Sequence, residues 1–138
     1  MTTDRVASRA SQSTPTARAQ RSTSSAAAVF ALDAVLVAIF AAVGNRSHQT
    51  GLSPADIAST AWPFLLGLCL AWLLAFTWRR PLSLPRGALT ALGTVLAGML
   101  LRHYFTDGGV QISFIVVAAL SLSALLLGSR LALQLLRR

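Results

Sequence analysis

Four long apolar runs separated by short polar gaps order the chain: 26–43, 61–78, 87–105, and 112 to about 133. Each is about 18–22 residues, close to the ~20 that carry a helix across the hydrocarbon of a bilayer. None alternates with the two-residue period of a barrel strand. Unpaired backbone cannot face lipid, so helices remain as the solution. The gaps are short, which predicts antiparallel packing of sequential neighbours. The expected fold class is therefore all-α, an integral membrane four-helix transmembrane bundle.

The first 25 residues, 1–25, are Ser, Thr, Ala, Gln and Arg with one proline and offer little to bury. They read as a disordered basic tail, and residues 26–138 as a four-span transmembrane domain. The gap after the first run carries its own signal. Ser53-Pro54-Ala55-Asp56 has an N-cap residue, a proline at the first helical position and an acid at the third. A helix that starts at Pro54 and runs on would enclose Pro63 and lose one backbone hydrogen bond there. The alternative is a helix that restarts near Pro63. Small residues recur every fourth position: Ala34, Ala38 and Ala42, then Gly67 and Ala71, then Gly93 and Ala97. Such ridges let helix backbones approach closely in lipid.

Composition agrees with the membrane reading. Hydrophobic residues make up 54% of the chain and charged residues 12%, against about a quarter charged in soluble domains. All twelve basic residues are arginine, a usage that suggests a GC-rich bacterial genome. A net charge of +8 raises nucleic acid as a partner, yet the arginines fall outside the runs or, as Arg102 and Arg130, near run ends, where membrane topology puts them, so no nucleic-acid partner is expected. Ten lie in the N-terminal tail, the gap between runs two and three and the C-terminal end: Arg5, Arg9, Arg18, Arg21, Arg79, Arg80, Arg86, Arg130, Arg137 and Arg138. The other two connections carry one each, Arg46 in the first gap and Arg102 near the end of run three, offset by Asp56 and Asp107. The asymmetry predicts both termini cytoplasmic and a multi-pass protein of the bacterial plasma membrane. Trp62, Trp78 and Tyr104 at run ends suit the interface. The lone Cys69 lies inside a run and cannot form an intramolecular disulfide.

Several ordered pieces of the chain resemble a family of small bacterial membrane proteins, Domain of Unknown Function 3054. They are Asp33; Phe40-Ala41-Ala42-Val43-Gly44; Arg46-Ser47-His48; Gly51-Leu52; Thr60-Ala61-Trp62-Pro63-Phe64; Trp78-Arg79-Arg80-Pro81; Gly98-Met99-Leu100-Leu101-Arg102; and Ser113-Phe114-Ile115-Val116-Val117-Ala118. The resemblance covers about Phe30 to Gly128, and Asn45 departs from the arginine expected there. It implies a four-span membrane protein and brings no reaction, ligand or catalytic residue.

Asp33 is the foremost candidate for chemistry. A carboxylate inside an apolar run costs roughly 2.5–3.5 kcal/mol on insertion scales, so it needs a reason to be there. One reading is a group that handles protons or ions. The preferred one is a protonated side chain hydrogen-bonded to a serine or a backbone carbonyl of a neighbouring span, with Ser121 and Ser123 as available donors. On that reading asparagine substitutes well for Asp33. Asp33 sits roughly 10 Å from the cytoplasmic end at 1.5 Å per residue, and Arg102 lies near the opposite surface, so the two do not meet without a strong tilt.

The outer-face polar candidates are Arg46, His48, Arg102 and His103. Arginine suits phosphate geometry, so lipid headgroups are natural neighbours, with solvated snorkelling as the plainer alternative. Two histidines from separate gaps lack metal-ligand spacing, and no metal or other cofactor is expected. No phosphate loop and no nucleophile elbow occurs, so the chain is not expected to be an enzyme. The preferred function is a membrane module acting through helix packing or contacts with membrane proteins or further copies of itself. The alternative is a small oligomeric transporter or channel built on Asp33.

Overall fold

The computed structural model describes residues 15–48, 51–107 and 110–137. Among them the regular elements are all helical: α1 (Pro15–His48), α2 (Pro54–Leu74), a 3-10 turn at Thr77–Arg79, α3 (Leu84–Phe105) and α4 (Ile112–Leu136). Each of the four α-helices is long and apolar enough to cross a membrane. Helix α1 has 34 residues, about 51 Å at 1.5 Å each, against a hydrocarbon core of about 30 Å. It begins at Pro15, so residues 15–25 are helical where a disordered tail was expected, and residues 1–14 lie outside the described ones.

Helix α2 starts where the cap motif put it. The Ser53 hydroxyl accepts from the Asp56 amide at 3.2 Å, and the Asp56 carboxylate accepts from the Ser53 amide at 3.1 Å. This reciprocal box satisfies two orphan donors. Gly51 is at φ +101°, and a Cβ there would lie 2.3 Å from the Asp56 carboxylate, so both backbone and box require glycine. Pro63 lies inside the helix, which settles the two openings left by the sequence in favour of one continuous α2. The helix ends at Leu74, four residues before the expected end of its run, and the chain turns through Phe76 in the left-handed region. Arg86 of α3 donates to the Phe76 carbonyl, and Thr77 and Thr90 share a buried hydrogen bond of 2.8 Å. These contacts fix the turn against α3.

Cross-helix contacts give the directions. Phe30 meets Trp72 and Phe40 meets Phe64, so α1 and α2 run antiparallel. Gly67 faces Thr94 and Gly98, and Gly93 faces Ala71, so α2 and α3 do too. Arg102 stacks on Phe114 while Gln134 donates to the Leu82 carbonyl, which sets α4 against α3. Helix α1 packs on α2 and α4, and α3 packs on the same two, giving a four-helix ring. The closest approach is α2 on α3. A Cβ on Gly67 would lie 2.9 Å from the Gly98 nitrogen and 2.9 Å from the Thr94 oxygen. The small-residue ridges of the second and third runs are therefore the ones that close a helix crossing.

Candidate functional site

Asp33 is held at the point where all four helices meet. Its Oδ1 accepts from Arg130 Nη1 at 3.0 Å and its Oδ2 from Arg130 Nη2 at 2.7 Å. Trp72 Nε1 adds a third donor to Oδ2 at 2.9 Å. Helix α1 supplies the carboxylate, α4 the guanidinium and α2 the indole. Helix α3 supplies room: a Cβ on Gly87 would lie 2.4 Å from Arg130 Cδ and 2.8 Å from its Nε. Both charged side chains are 0% exposed. Arg130 Nη1 also donates to the Leu126 carbonyl at 2.8 Å, one turn back on its own helix, while Nε has no partner among the described residues. The Trp72 ring packs edge-on to Phe30, with centroids 5.2 Å apart, while its N–H meets Asp33.

This corrects the expected partner of Asp33. The contact is a bidentate ion pair, not a hydrogen bond to Ser121 or Ser123. The fork of a guanidinium matches the two carboxylate oxygens, and each charge offsets part of the other's cost of leaving water. Arg130 is accordingly a buried partner rather than a free charge at the C-terminal end. Discounting it, the orienting arginines divide nine to two.

The sequence held a signal for this pair. Asp33 lies eight residues after Ser25 and Arg130 six before Leu136, so in antiparallel helices both sit roughly 9–12 Å from the same end. Trp72 had no comparable signal, because an aromatic within an apolar run reads as core.

The outer-face candidates are not drawn into this centre. Arg46 is exposed near the end of α1, and His48 ends that helix with its side chain outside the described residues. Arg102 is half-buried, its guanidinium 4.7 Å from the Phe114 ring centroid. His103 is exposed, its ring edge-on to Tyr104 at 5.0 Å. Asn45 is buried and accepts from the Thr60 hydroxyl at 2.8 Å, a polar tie between α1 and α2 at the end opposite Asp33.

A family model described as "Protein of unknown function (DUF3054)" matches residues 30–133. No curated protein and no solved structure matches the chain.

Proposed function

We propose that this chain, which belongs to the DUF3054 family of proteins of unknown function, serves as a non-enzymatic membrane module that acts through the packing of its helices and their contacts with partners. It is an integral membrane protein of helical-bundle architecture. Its setting in this reading is the plasma membrane of a bacterium, with lipid around it and other membrane proteins or further copies as partners. The observation that carries the proposal is the state of Asp33. A carboxylate that relays protons or ions has to meet water or its cargo. Asp33 instead has both oxygens occupied by Arg130 and Trp72 and no exposed surface. Such a group serves to fix which helix faces meet.

The experiment compares Asp33→Asn, Asp33→Leu and Arg130→Met with the double variant Asp33→Leu/Arg130→Met. Thermal stability is read in detergent and pH-gradient flux in liposomes. Each single change leaves a buried group unpaired, with an expected loss of about 3–5 kcal/mol, whereas a well-packed apolar pair restores most of it. Asparagine is therefore expected to be damaging, contrary to its tolerance beside a neutral Asp33. A pH-driven flux in the parent that disappears in a stable double variant would overturn the proposal in favour of transport.

A further inference from the structure

A second polar centre lies at the end of the bundle where α1 begins its apolar run and α4 ends, independent of the Asp33 reading. There the chain forms an open groove of about 390 Å³. Three separate parts of the fold line it with polar residues: Ser25 from α1, Arg80 and Ser83 from the turn before α3, and Gln134 and Arg137 from the end of α4. Gln134 donates to the Leu82 carbonyl at 2.6 Å, which ties α4 to the turn and holds the two arginine-bearing segments on either side of the groove. Ser83 is the N-cap residue of α3, its side chain makes no capping bond, and the residue lines the groove.

Among the described residues no acidic side chain lines this groove. Of the four acids in the chain, Asp33 is consumed by Arg130, Asp56 and Asp107 lie at the opposite end, and Asp4 lies outside the described residues. Two arginines and a serine hydroxyl on one groove, with no acidic side chain among its described lining residues, suit an anionic ligand. A phosphate presents several anionic oxygens to planar forks. Depth adds a second argument. The groove sits at helix ends, and Trp78, two residues before Arg80, is exposed, the position of an interface anchor at headgroup level.

We propose that this groove binds one phosphate group, with the headgroup of an acidic phospholipid as the source its depth favours. The full chain is purified in a nonionic detergent, and lipid retention is measured by native mass spectrometry with dioleoylphosphatidylglycerol or dioleoylphosphatidylcholine. A parallel arm follows thermal shift with inorganic phosphate and with glycerol 3-phosphate. The test variant is Arg80→Gln/Arg137→Gln. The control Arg46→Gln/Arg79→Gln removes the same charge from residues outside the groove.

The expected result is one phosphatidylglycerol per chain, bound at least about tenfold more weakly by the test variant and within about twofold of the parent by the control, as loss of charge-assisted hydrogen bonds predicts. If inorganic phosphate or glycerol 3-phosphate binds with the same dependence while the lipid does not, the phosphate site stands and its source is soluble. Equal weakening in both variants, or equal retention of phosphatidylcholine with no effect of either, would overturn the proposal. Should the test variant fail to fold, Arg137→Gln alone, exposed beyond the last turn of α4, carries the question, and an unchanged affinity there would count against the site.

Discussion

At the scale of single residues, the arrangement around Asp33 makes Gly87 more than a small residue. Its missing Cβ is what lets the Arg130 stem lie across α3. Arg130 cannot swing aside, because its far end is pinned by both oxygens of Asp33. Gly87→Ala should therefore lower stability by about 1–3 kcal/mol, the range for overpacking a tight site. In an Asp33→Leu/Arg130→Ala background the stem is gone, and the same change should cost little. Thermal unfolding of the four proteins measures this coupling, and an equal cost of Gly87→Ala in both backgrounds would show that the glycine is needed for something else. The sequence made half of this centre legible. Asp33 stood out because a carboxylate in an apolar run demands an explanation. Arg130 was hidden by its place near the end of a run, where an arginine already has a topological reason to be. Gly87 was hidden too, since a glycine at the start of a run reads as a boundary.

At the scale of elements, the four helices were legible because bilayer thickness dictates run length and lipid forbids unsatisfied backbone. Their ends were less so. A polar helix extension such as 15–25 in α1 carries no hydrophobic signature, and a buried proline such as Pro63 looks the same in sequence whether it sits inside a helix or opens one. The small-residue ridges were visible, but only the structure decides which of them close a crossing. The ridges of α2 and α3 meet backbone to backbone at Gly67, whereas Ala38 and Ala42 of α1 are only partly buried. Gly67→Ala should force α2 and α3 apart and cost about 1–3 kcal/mol. Gly44→Ala, with open space around its Cβ, should instead gain about 0.5–1 kcal/mol from helix propensity. Paired melting curves in one detergent check both. A Gly67→Ala protein as stable as the parent would mean that the α2–α3 crossing is looser than this geometry.

At the scale of the whole molecule, the antiparallel ring leaves only its orientation in the membrane to be decided, and orientation rests on charge rather than packing. Arg130 is buried against Asp33 in the folded bundle, so the orientation follows from the other arginines. The remaining bias still gathers Arg79, Arg80, Arg86 and Arg137 at the end where α1 begins, while Arg46 and Arg102 lie at the other. That end is expected to face the cytoplasm. Ser83 then lies inside and Ser53 outside, and cysteine placed at either position reports its side. Cys69 sits on an exposed, lipid-facing part of α2, so the background is Cys69→Ala. In intact bacterial cells an impermeant thiol reagent should label position 53 and spare position 83, and permeabilisation should make position 83 reactive. Labelling of position 83 but not 53 in intact cells would invert the protein and turn the basic groove outward. The arginines would then have been set by what they bind rather than by how the chain inserts.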